Sequence, residues 1–117
     1  MNLEPEQFEK AFACYEAYHL RAGFPVEEWW RKALPSIDPG EFPALLARIK
    51  EIEIFTFALC EQVLNNELTL KGAFERLQQE YPSVSGNRLL HFLRTVHSLA
   101  SERREASKIK GTEKQKE

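Results

Sequence analysis

Apolar residues recur at the spacing of an α-helix along most of this chain, and prolines and glycines fall between the apolar segments. Most of these interrupting residues stand at Pro5, Gly23, Pro25, Pro35, Pro39, Gly40, Pro43, Pro82 and Gly86. Proline inside a helix removes a backbone hydrogen bond and clashes with the preceding turn, so these positions delimit helices. The pattern therefore predicts helices joined by short connections.

Five segments carry an apolar stripe at helical pitch, and we expect helices at about residues 5–22, 26–34, 43–65, 70–80 and 85–107. Pro5 suits the first turn of a helix, and Gly23 suits a left-handed cap at a helix end. Thr69 suits the N-cap position of the fourth helix. Short connections favour antiparallel neighbours, as in a helical bundle.

Residues 52–57, with the sequence IEIFTF, offer a competing interpretation as a strand. The segment alternates and is rich in residues that favour strands. No turn residue bounds it, however, and a single strand has nothing to pair with. We therefore expect a helix here, and its apolar residues on nearly every side predict a central position in the fold.

Length and composition limit the chain to one domain. Its 117 residues, of which 43% are apolar, suffice for one hydrophobic core and not for two. We predict an all-α fold, a single compact bundle-like domain of four to five helices within residues 1–107. Residues 108–117 have too little apolar surface to remain ordered, so we expect a disordered basic tail there.

The cellular setting is also an expectation from sequence. No apolar run approaches the roughly 18 residues that a membrane-spanning helix needs. The acidic start lacks the features of a secretory signal, and two cysteines do not make a disulfide framework. We expect a cytoplasmic protein with no membrane partner.

Side chains that could carry catalysis lack the usual local signatures. The sequence has no glycine-rich phosphate loop, no paired-cysteine metal spacing and no two histidines four apart on a helix. His19 falls in an apolar stripe, which favours a core histidine, while His91 and His97 fall on different sides of one helix. Cys14 and Cys60 stand at apolar positions with no neighbouring cation, which favours structural thiols. We interpret the many glutamates as residues on solvent-exposed helix faces. We expect neither an enzyme nor a metal, cofactor or small-molecule substrate.

Two adjacent indoles suggest a protein-interaction role. Trp29 and Trp30 point about 100° apart on a helix, so both enter a core only if their segment is covered on two sides. Otherwise one is half exposed, and indole is a favoured anchor at interfaces. We predict that Phe24, Trp29 and Trp30 form a docking patch, and that the partner is another protein or a second copy of this chain. The protein would then act as an adaptor, a regulator or an inhibitor.

A nucleic-acid-binding regulator is the alternative. Residues 1–82 carry a net charge of −6 and residues 83–117 a net charge of +4, which gives the total of −2. Residues 68–94 have the outline of a helix-turn-helix, whose second helix would face a major groove. The residues that would then contact nucleic acid are Asn87, Arg88, His91, Arg94, Arg103, Arg104 and Lys108.

Three observations count against this alternative. The connection lacks a glycine at the sharp turn, and Arg88 and Arg94 fall about 120° apart on the helix. The acidic remainder of the chain would repel phosphate. Protein docking is therefore the preferred prediction.

Overall fold

The chain folds into helices, as the sequence predicts. The computed structural model describes the backbone of residues 4–20 and 22–116 and the side chains of residues 4–20 and 22–107. The helices are α1 (Pro5–Cys14), which continues as a π-helix (Tyr15–Leu20), α2 (Glu27–Ala33), α3 (Phe42–Leu64), α4 (Leu70–Glu80) and α5 (Gly86–Lys116), with a 3₁₀ turn at Pro39–Glu41.

The all-α class is confirmed: the described part of the chain contains no strand, and residues 52–57 lie inside α3. The predicted disordered tail concerns residues 108–117, whose side chains lie outside the described residues.

The helix ends follow the predicted local chemistry. Gly23 has a positive φ of 76°, and its N–H donates to the carbonyl of His19 at 2.8 Å. The Thr69 hydroxyl accepts from the N–H of Gly72 at 3.0 Å and so caps α4. Asn66 follows α3 with a φ of 61°, a conformation that asparagine tolerates better than most side chains, and its N–H donates to the carbonyl of Val63 at 3.0 Å. Each end thus satisfies backbone groups that a helix terminus leaves unbonded.

The hydrophobic core lies between α3, α5 and the helices that cover them. α3 packs against α5 and α4, and α1 packs against α2. This arrangement gives α3 the central position that its composition predicts, although Ile54 remains 70% exposed on its outer side. The largest fully buried side chains are Trp30, Tyr15, Phe12, Phe92, Leu45, Ile49, Ile52, Leu77, Leu89, Leu93, Val26 and Val96.

The first helix changes from α to π geometry at Tyr15. The N–H of Tyr15 is shared between the carbonyls of Ala11 and Phe12. The indole N–H of Trp30 donates to the same Ala11 carbonyl at 3.0 Å, so α2 is joined to α1 at the point of the switch. Because a π-helix bonds residues five apart rather than four, it alters which side chains face inward beyond Tyr15.

Candidate functional site

Only part of the predicted docking patch lies at the surface. Trp30 is 0% exposed, and the prediction that it belongs to a docking surface is therefore wrong. Its ring packs edge-on against Phe42, with centroids 5.4 Å apart, and its N–H is bonded inside the core. Adjacent residues on a helix point in different directions, so α1 covers Trp30 and leaves Trp29 partly exposed.

Two aromatic side chains, Tyr18 and Trp29, stack at the surface where the π-helix approaches α2, and the backbone of a third aromatic residue, Phe24, is bonded to Tyr18. We call Tyr18, Phe24 and Trp29 the aromatic patch. The rings of Tyr18 and Trp29 are stacked, with centroids 4.1 Å apart and an interplanar angle of 9°. Tyr18 is 37% exposed and Phe24 is 58% exposed. The tertiary structure brings Tyr18 onto Trp29 from a different helix.

The backbone of Phe24 is held in place from both sides. Its N–H donates to the carbonyl of Tyr18 at 2.9 Å, in the pattern that follows a left-handed glycine at a helix end. Its own carbonyl accepts from Nδ1 of His19 at 3.0 Å. The expectation that His19 is a core residue is thus corrected: it is half-buried, and it fixes the chain that carries Phe24.

A second cluster joins the first helix to α5 through charged groups. Glu16 is only 3% exposed, so the interpretation of all glutamates as solvated faces is wrong for this one. Its Oε2 accepts hydrogen bonds from Nδ1 of His91 and, at 3.2 Å, from the hydroxyl of Thr95. Nη1 of Arg88 lies 3.8 Å from the other carboxylate oxygen, while Nε of Arg88 donates to Glu9 at 2.8 Å.

These groups border a groove of about 400 Å³. Its lining consists of Glu9, Ala13, Glu16, Ala17, Asn87, Arg88 and His91. The lining contains a histidine and two glutamates, and none of its residues is a serine, threonine or cysteine that could act as a nucleophile. The groove lining therefore lacks the hydroxyl or thiol nucleophile that acyl transfer commonly uses. The absence of enzymatic activity stays a prediction.

Sequence reasoning could not find the pairing of His91 with Glu16. No acidic residue stands three or four positions from His91, and its partner Glu16 is 75 positions away in the sequence. Only the packing of α5 against the first helix brings the two together.

At the start of α5, one arginine of the nucleic-acid alternative, Arg88, is paired with acidic residues of the first helix. Arg88 is paired with Glu9 and lies close to Glu16, so two carboxylates occupy the region that would approach phosphate. Arg94 and Asn87 are exposed. His91 is bonded to Glu16. The start of α5 therefore carries acidic groups beside its basic ones.

Further along the described part of α5, Arg103 and Arg104 both contact α3 or the residue that follows it. Arg104 donates to Glu61 at 3.0 Å and to Asn65 at 2.9 Å, both at the end of α3. The guanidinium of Arg103 lies over the ring of Phe57, 5.1 Å from its centroid. The side chain of Lys108 lies outside the described residues.

Both cysteines have environments that disfavour the thiolate. Burial raises the pKa of Cys60 from an ordinary value of 9.0 to about 11, with a smaller contribution from the carboxylate of Glu61. Burial also raises the pKa of Cys14, although Lys10 opposes the effect. Both thiols are thus protonated near neutral pH, as expected for side chains that pack rather than react.

Within residues 4–20 and 22–107, no three histidine, cysteine or acidic side chains are grouped so that they could hold a metal ion. None of the helices in the described part of the chain is long and apolar enough to cross a bilayer. Comparison with known proteins finds no family model that matches the chain, no curated protein of similar sequence and no similar solved structure.

Proposed function

We propose that this chain is a protein-interaction module that docks through the aromatic patch of Tyr18, Phe24 and Trp29. The observation that carries the proposal is the 58% exposure of Phe24 on a backbone bonded on both sides. When a partner covers a large apolar side chain, the removal of its surface from water makes the free energy of binding more favourable. Binding costs less conformational entropy when the backbone that carries this side chain is already fixed.

The neighbouring rings add to this surface. Tyr18 and Trp29 are stacked, so they meet a partner as one rigid unit rather than as two mobile side chains. Tyrosine and tryptophan are enriched among the residues that dominate binding energies. The aromatic patch therefore has the composition and the rigidity of an interface anchor.

The geometry favours this function over nucleic-acid binding. A phosphate-binding surface needs several basic groups on one face, free to contact the backbone of the nucleic acid. Arg88 and Arg104 are bonded to glutamates of other helices instead. Arg88 and Arg104 thus support the fold, whereas the side chain of Phe24 is largely exposed to solvent.

The partner should present apolar side chains to the aromatic patch, with charges of both signs around them. The adjacent helix α2 has acidic residues in its first turn and basic residues in its last turn. A partner of one strong sign would be attracted to one end of α2 and repelled by the other.

A binding comparison between two exposed apolar positions tests the proposal. Proteins captured from source cells by the wild-type chain are identified, purified and titrated calorimetrically against wild type, Phe24→Ser and Ile54→Ser. Ile54 is the matched control, because it is 70% exposed on α3 and lies outside the aromatic patch. We expect Phe24→Ser to weaken binding of the purified partner by about 30-fold and Ile54→Ser to leave it unchanged.

Circular dichroism verifies that both variants remain folded. Equal binding by wild type and Phe24→Ser would overturn the proposal, as would equal losses in the two variants.

A further inference from the structure

We infer that the occupant of the aromatic patch is a second copy of this chain. A two-fold axis perpendicular to α2 would relate the two copies. The inference deepens the proposed function and rests on it, since it names the partner of the same surface. Its basis is the arrangement of charges beside Trp29.

Two opposite charges lie next to the aromatic patch on one face of α2. Glu28 and Lys32 are both exposed, and residues four apart share a helix face. The Lys32 ammonium lies over the ring of Trp29, 5.4 Å from its centroid, which places this charged face against the aromatic patch. A carboxylate and an ammonium are thus displayed one helical turn apart, beside a large apolar surface.

The Glu28 and Lys32 pair on one copy of α2 is complementary to the same pair on a second, antiparallel copy. A two-fold axis perpendicular to a helix places two copies antiparallel, so the same patch is used on both sides. Glu28 of each copy then faces Lys32 of the other, and Trp29, which lies under the Lys32 ammonium, borders this contact. A parallel arrangement would bring like charges together, and the charges therefore select the antiparallel one.

A charge-swap experiment tests this pairing. The dimer dissociation constant is measured by analytical ultracentrifugation for wild type, Glu28→Lys, Lys32→Glu and the double variant. In a two-fold dimer each single change replaces two attractions by two repulsions, so we expect each to weaken association by about tenfold. The double variant restores opposite charges across the axis, and we expect it to recover most of the wild-type affinity.

The matched control is the same swap on another face of α2, Glu27→Lys with Arg31→Glu. It reverses the charges at both helix ends in the same way, and so reproduces any effect on α2 itself through the helix dipole. We expect this control to leave the dissociation constant within about twofold of wild type.

The other outcomes decide between occupants. A wild-type chain that stays monomeric at the highest soluble concentration overturns the inference. A dimer that is indifferent to the Glu28 and Lys32 changes also overturns it, because the copies then meet elsewhere. A third outcome is that the wild-type chain is monomeric and that Phe24→Ser abolishes its binding to a different purified protein. This outcome overturns the inference of a second copy and leaves the proposed function standing.

Discussion

Glu16 carries a carboxylate into the interior, where side chains of α5 hold it. Transfer of a charged group out of water is costly unless hydrogen bonds and opposite charges replace the lost hydration. His91 and Thr95 supply hydrogen bonds, and the Arg88 guanidinium lies nearby. This carboxylate therefore ties the first helix to α5 more firmly than a surface ion pair would.

Glu16→Ala should lower the free energy of unfolding by about 2–3 kcal/mol, because it removes hydrogen bonds to partners that then lose their acceptor. Glu9→Ala is the matched control, since Glu9 also pairs with Arg88 but at a more exposed position. We expect the control to cost less than about 1 kcal/mol. Urea denaturation followed by circular dichroism measures both, and equal costs would contradict the buried role of Glu16.

At the scale of elements, the link between α1 and α2 determines which side chains become the aromatic patch. Trp30 donates its indole N–H to Ala11 at the switch into the π-helix, so α2 is held against the first helix. Docked in this way, α2 brings Trp29 against Tyr18. The core contact of one tryptophan thereby positions the surface contact of its neighbour.

Replacement of each tryptophan by phenylalanine should separate these two roles. Trp30→Phe loses a buried hydrogen bond and leaves space in the core, and we expect it to lower the free energy of unfolding by about 2 kcal/mol. Trp29→Phe keeps an aromatic ring at a partly exposed position, and we expect less than about 1 kcal/mol. Thermal and chemical denaturation check this, and the opposite order would show that Trp29 rather than Trp30 holds α2.

At the scale of the whole molecule, buried acids make the fold sensitive to alkaline pH. Burial raises the pKa of Cys60 to about 11, and it also raises the pKa of Tyr15, whose phenol donates to Glu53 at 3.0 Å. In the unfolded chain the Cys60 thiol loses its proton near its ordinary value of 9.0, before the folded protein does. Deprotonation then favours the unfolded state.

We therefore expect the contribution of Cys60 to stability to be complete below about pH 9 and to be lost by about pH 11, at a cost of about 2 kcal/mol. The measurement is urea denaturation of wild type and Cys60→Ala across this pH range. The variant should show the smaller decrease, because it has no thiol to titrate at that position. Parallel decreases in the two proteins would contradict the prediction.

The sequence by itself determined the helices of this protein. Helical spacing, proline positions and caps such as Gly23 and Thr69 act within a few residues, so they can be read before the fold is known. The same local signals established the all-α class and rejected the strand at residues 52–57.

For several individual side chains, only the tertiary structure decided between the surface and the interior. The sequence does not say which of Trp29 and Trp30 faces the core, and the docking of α2 on α1 buries Trp30 and leaves Trp29 partly exposed. Glu16 lies in the π-helix, is buried, and pairs with His91, 75 positions away in the sequence. Contacts between residues so distant in sequence depend on how whole helices pack, which no local pattern encodes.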